Sequence, residues 1–128
     1  MSQALTTIAG LGFNEIDLGA LPGVCDHVPY VLDGRAVADV AATVADSGLT
    51  VRSINGDIGD LNVPLTSDER AARTRHLDKL VELAAATGSR AVVLPCGALE
   101  HEPHETLDAD VDRVAGELVA AATTAAAH

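Results

Sequence analysis

Residues 84–95 read Ala84-Ala85-Ala86-Thr87-Gly88-Ser89-Arg90-Ala91-Val92-Val93-Leu94-Pro95: an Ala-rich stretch, a Gly, a short β-branched run, then the start of a polar loop. The same order occurs twice earlier, through Gly12 and Gly48, and the spacing of the three glycines is close to what one β/α unit occupies. Each Gly stands where the end of a helix calls for a left-handed residue. Working outward, the pattern predicts strands over 14–19, 49–55 and 90–95, and helices over about 3–11, 35–47, 68–87 and 108–126. The run Ala91 to Leu94 is apolar throughout, as suits a parallel strand covered on both faces. Glu15, Asp17 and Arg52 make the first two strands less uniformly buried.

Each helix has an apolar face at helical spacing: Val37, Val40, Ala41 and Val44; Leu77, Leu80, Val81 and Ala84; Val111, Val114, Leu118 and Val119. Thr66 with Glu69 forms a capping box ahead of the third helix. The low-complexity run 123–128 is expected to fray. Alternating β and α gives an α/β fold with three parallel strands in sequential order and four helices, as one domain over 1–128. Both a doubly wound sheet and part of a barrel fit, and three strands cannot close a barrel. The chain opens on a helix with no strand before it, as an array begun inside its first unit does.

Asp and Glu outnumber Lys and Arg by 19 to 8, a net charge of −11, which repels a phosphate backbone and excludes a nucleic-acid partner. Phe13 and Tyr30 are the only aromatics, so a ligand must be held mainly by polar groups. The N-terminus shows no basic and apolar targeting pattern, and no apolar run approaches the roughly 20 residues that cross a bilayer, so no membrane partner and a cytoplasmic location are expected. Cys25 and Cys96, far apart in a chain without secretory features, are expected to be reduced and unlinked.

Connections into the strands are short and hold nothing reactive, whereas those leaving the strands are long and rich in His, Cys, Asn and carboxylates. In barrels and open α/β sheets the strand C-terminal ends carry ligands, although solvated loops are polar in any case. Leu21, Val24 and Val28, set between two prolines in the first loop, predict that it folds over the strand ends. His27 within it either orients a hydroxyl and shuttles a proton near neutral pH or bonds to nearby backbone. In the second loop Asn55 and Asp57, among glycines, suit hydroxyl recognition; the segment lacks the Glu that ends an EF-hand loop and the third Gly of a dinucleotide fingerprint. Glu100 and His101 are the substrate-binding candidates of the third loop. Its His101-Glu102-Pro103-His104-Glu105 run is no zinc-protease helix, because Pro103 and the histidine spacing keep the two rings off one helical face.

Gly12-Phe13-Asn14-Glu15-Ile16-Asp17-Leu18-Gly19 resembles the second-strand signature of sugar phosphate isomerases and epimerases, with Asp17 where that family usually has Glu. Ser47 to Val51 resembles the lead into their third strand, and Leu77 to Leu94 their third helix and fourth strand. The resemblance implies the N-terminal portion of a xylose-isomerase-like (β/α)8 TIM barrel, carrying about three of its eight units. It implies a small sugar or sugar phosphate as ligand, and isomerisation or epimerisation by proton transfer at a sugar carbon through a metal-stabilised enediol. Asp17 and His27 are then the catalytic candidates, and Asn55, Asp57, Glu100 and His101 the substrate contacts. A divalent metal (Mn, Mg, Co or Zn) is implied for the full barrel, with ligands mostly from strands five to eight, so none is assigned here. The chain alone is expected to be inactive. The alternative is a non-catalytic α/β module that binds or assembles; on either reading, self-association through exposed sheet edges is expected.

Overall fold

The computed structural model describes residues 1–24, 27–95 and 102–128. In chain order its elements are α1 (Ser2–Gly10), β1 (Glu15–Ala20), α2 (Gly34–Ser47), β2 (Thr50–Gly56), α3 (Ser67–Thr87), β3 (Val92–Val93) and α4 (Leu107–Ala125). The three strands form one parallel sheet in the order β1-β2-β3. The α/β alternation of the sequence is therefore the architecture.

Local chemistry sets the helix limits. The Asp33 carboxylate accepts from the Ala36 amide (2.8 Å) at the start of α2, and Thr66 and Glu69 complete the capping box of α3. Thr106 accepts from the Ala109 amide (3.2 Å) ahead of α4. Gly12, Gly48 and Gly88 all have positive φ (88°, 72° and 72°), which stops α1, α2 and α3 and turns the chain toward the next strand.

All the helices that meet the sheet do so on one face. On that face Ile16, Leu18 and Ala20 of β1 lie beside Val51, Ile54 and Gly56 of β2, with Val92 at the edge. Val37, Val40 and Val44 of α2 and Leu77, Leu80, Val81, Leu83 and Ala84 of α3 close the core over them. Val28 and Leu32 from the first loop and Ile58 and Leu61 from the second are buried there too, so the apolar character of the first loop does fold it onto the core, while Val24 stays exposed. Each fully buried Leu or Ile contributes about 1.5–3 kcal/mol.

Two expectations change. The third strand is two residues long, not six, and only one of its faces is covered: Val92 packs on the core, but Val93 is 50% exposed. No helix among the described residues lies on the other sheet face, which carries Asp17, Ser53, Asn55 and Val93. The apolar stripe of α4 is also partly open: Val114 packs against the core, but Val111 and Val119 are 56% and 68% exposed, because α4 packs on α3 and among the described residues no strand lies beneath it. At the C-terminal end, where fraying is expected, His128 Nε2 lies 2.9 Å from the exposed Asp78 carboxylate.

Gly56 is where α3 approaches the sheet most closely: a Cβ at this position would lie 2.7 Å from Cδ1 of Leu80, which is itself fully buried. Gly56→Ala is expected to destabilise the fold by about 1–3 kcal/mol in urea denaturation through overpacking. The loss should shrink in the Leu80→Ala background, where the space has already been vacated.

Candidate functional site at the strand ends

Parallel strands put all their outgoing loops at one end. Asn55, the penultimate residue of β2, pairs with Gly19 of β1 and Val93 of β3, so it sits half-buried in the middle of the sheet face that no described helix covers. Asp57 follows one residue after the strand, and its Oδ1 accepts from the Gly59 amide at 2.8 Å, an Asx turn that bends the chain across the strand ends. The second loop then lines a cleft of about 590 Å³ with Pro22 and Tyr30 from the first loop and Arg73 and His76 from α3. Asp57, Asp60 and Glu69 make its rim acidic, and the Tyr30 and His76 rings meet at a centroid distance of 5.4 Å.

Arg73 shapes this cleft. Its guanidinium is nine-tenths buried and donates from Nε to the Ile58 carbonyl (3.0 Å) and from Nη2 to the Asp60 carbonyl (2.6 Å). Farther along, Asn62 is buried: its Nδ2 donates to Asp110 Oδ2 at 2.9 Å, while its carbonyl accepts from Arg113 Nη1 at 2.7 Å. The Asp110 carboxylate also accepts from the His104 and Glu105 amides (2.8 and 3.4 Å). Thus α4 binds the loop after β2 to residues 104–105 of the loop after β3. The Asn62 donation and the His104 amide, helped by Glu105 and the Arg113 charge, hold the Asp110 carboxyl below the usual carboxylate range against the cost of its burial.

Asp17 lies on the same sheet face as Asn55 but one pair earlier, opposite Ser53. The β1–β2 register slips at this point: Ile16 pairs with Val51 and Asp17 with Ser53, leaving Arg52 as the extra residue of a bulge. Because of the bulge, both neighbours reach one carboxylate: Arg52 donates from Nε to Oδ1 (3.1 Å) and from Nη2 to Oδ2 (2.7 Å), and the Ser53 hydroxyl donates to Oδ1 (2.6 Å). The Arg52 fork, followed by the Ser53 bond, lowers the Asp17 pKa. As it stands Asp17 is an ionised partner of Arg52, and it can take up a proton only by giving up that fork. Its surroundings are residues 13–16 and Arg52, toward the end where the strand begins.

His27 is exposed and lies beside Asp33, Arg35 and Asp39 at the start of α2, in a shallow cleft apart from Asp17. The structure thus puts Asn55 on the open sheet face and Asp57 in the loop that follows, where it lines the cleft without Asn55; Asp17 lies on the same sheet face as Asn55 nearer the strand start, and His27 lies in a separate cleft. Glu100 and His101, like Cys25 and Cys96, lie outside the described residues. Sequence reading missed Arg73, Asn62 and Asp110. Asn62 was visible as an amide in a functional-looking loop, but its partner is 48 residues away. Opposite charges at Asp17 and Arg52 on consecutive strands were the legible signal for the cross-strand ion pair.

This architecture is similar to solved sugar-epimerase structures. D-psicose 3-epimerase with D-tagatose from Clostridium cellulolyticum H10 superposes with a TM-score of 0.70 at 16% identity, covering 98% of this chain and 43% of that one. The fold is part of a TIM barrel. A xylose isomerase-like TIM barrel protein from Mycobacterium smegmatis in complex with magnesium matches at a TM-score of 0.59 and 19% identity, over 97% of this chain and 44% of that one. The apo form of 3-keto-D-glucoside 4-epimerase from E. coli matches at 0.60 and 15%, over 89% and 52%. The chain spans about half the length of these structures or less, as an N-terminal portion would. No family model and no curated protein matches it.

The Asp110 cluster makes a pH prediction. A folded-state pKa below the unfolded one means that the unfolded chain binds the proton more tightly, so stability is present above the unfolded value, near 3.8, and is lost as pH falls through the lower folded value. Asp110→Asn is expected to lower the urea midpoint at pH 7 and to flatten the loss of stability below about pH 4. Urea titrations at pH 7, 4 and 3 check both limbs.

Proposed function

We propose that the chain forms part of the substrate-binding mouth of a sugar isomerase or epimerase, with Asn55 and Asp57 recognising hydroxyls of a small sugar or sugar phosphate. The observation that carries this is the position of Asn55, central in the sheet on its open face and at the strand end that leads into the Asp57 cleft. Ligands of barrels bind at that end. The epimerase neighbours support the substrate class: D-psicose 3-epimerase has been solved with D-tagatose and in the presence of D-fructose.

In the complete barrel the proposed reaction is proton transfer at a sugar carbon. Asp17 and His27 stay the proposed proton-handling groups, with the Arg52 fork to be displaced at Asp17, and Glu100 and His101 stay proposed substrate contacts. The residues described do not fit the expected divalent metal, because no three of their His, Cys, Asp or Glu side chains cluster in a way that could hold an ion. No step is assigned to a metal in this chain. What its own residues supply is orientation: an amide and a carboxylate on a strand end, backed by a fixed loop.

The competing reading, an assembly module, draws on the exposed Val93 at the sheet edge and on the α4 stripe of Leu107, Val111, Leu118 and Val119. Both readings predict self-association. Incubated with common ketoses and aldoses plus Mn²⁺, Mg²⁺ or Co²⁺, the 128-residue chain is expected to give no turnover, and sedimentation equilibrium at high concentration to give a mass above that of a monomer. Weak saturable sugar binding that is lost in Asn55→Ala and Asp57→Ala favours the mouth; no binding by the wild type leaves only the assembly module. Robust metal-dependent turnover by a strict monomer would contradict the account.

A further inference from the structure

The cleft loop is tied to α4 by two routes that never pass through the sheet. One runs from the Ile58 and Asp60 carbonyls, which accept from the Arg73 guanidinium, to the Glu117 carboxylate on α4, which lies 3.3 Å from Arg73 Nη1 as a buried ion pair without a hydrogen bond. The other runs from Asn62 to Asp110 and Arg113, also on α4. Both Arg73 and Glu117 are about nine-tenths buried, at 8% and 10% side-chain exposure, and Arg70 closes the outer side of the Glu117 carboxylate. By contrast α4 has no substantial contact with any described strand; Val114 of its apolar stripe packs against the core, and Val111, Leu118 and Val119 are exposed.

We infer that Arg73 is a positioning residue that makes the loop after β2 and helix α4 open and close as one unit. The physical reason is the geometry of the guanidinium. Two of its arms bond loop carbonyls while the third, Nη1, sets its charge against Glu117, so a shift of the loop costs two hydrogen bonds and a shift of α4 leaves a buried charge unpaired. Removing one partner of a buried charged pair also leaves the other unpaired, which favours opening of the whole unit over a small adjustment. The inference concerns the cleft's shape and stands whether or not the cleft takes a sugar.

Glu117 touches no residue of the loop, which makes it the right place to test the coupling. In Glu117→Gln, amide hydrogen exchange followed by NMR is expected to speed up about tenfold both in α4 and at Gly59, whose N–H bonds Asp57. Exchange at Ile54 in the core strand should keep its wild-type rate. In an Arg73→Lys background, which keeps the charge but loses the fork to the loop carbonyls, Glu117→Gln should change Gly59 little further, because its effect on the loop passes through Arg73. Faster exchange in α4 with Gly59 unchanged would overturn the inference. So would a rise of equal size at Ile54, since the opening would then be that of the whole domain, or full additivity of the two substitutions at Gly59.

Discussion

Two parallel strands cannot be joined by a tight turn, and that constraint governs this molecule. Each return to the start of the sheet needs a crossover, which here is a helix, and each helix must bury its apolar stripe where the strands offer theirs. The result is a sheet with α2 and α3 on one face and an open face behind, and with every outgoing loop at the same end. Gly56 marks how close the layers come, since the passage from β2 to its loop leaves no room for a methyl group under Leu80.

The open face makes this look like part of a barrel and not a finished layered sheet. A doubly wound sheet would put helices over Val93 and Asn55, and among the described residues none is there. What occupies that face is polar at Asp17, Ser53 and Asn55, and the bulge at Arg52 concentrates the hydrogen bonds on the Asp17 carboxylate. The loops at the strand ends are held by buried polar groups reaching in from α3 and α4. Arg73, Asn62 and Asp110 therefore define the cleft, and the rim residues facing solvent are the ones free to meet a ligand.

Much of this was legible because it is periodic. The spacing of Gly12, Gly48 and Gly88 gave element order and parallel topology, and the stripes of α2 and α3 gave the core facing the sheet. Where the reading departed from the structure, the cause was an absent neighbour. Val93, Val111 and Val119 are apolar at sound positions, yet nothing described covers them, and a periodicity argument assumes the cover. The site was less legible for another reason. Asn55 and Asp57 could be found from their place after a strand, but the groups that fix the loop come from helices downstream, and neither Arg73 nor Asp110 has a local sequence signature. Asp17 shows the converse, because its acidic character was plain while the register slip that gives it both Arg52 and Ser53 was not.

The central claim is the parallel, sequential sheet with one face uncovered, and cross-strand nuclear Overhauser effects test it most directly. The account predicts contacts that keep the parallel register, linking Leu18 to Ile54, Asn55 to Val93 and the Asp17 side chain to Ser53, with none from any helix to Val93. Close α-proton pairs across β1 and β2, the mark of antiparallel strands, would contradict it, as would helix contacts to Val93 on the face described as open.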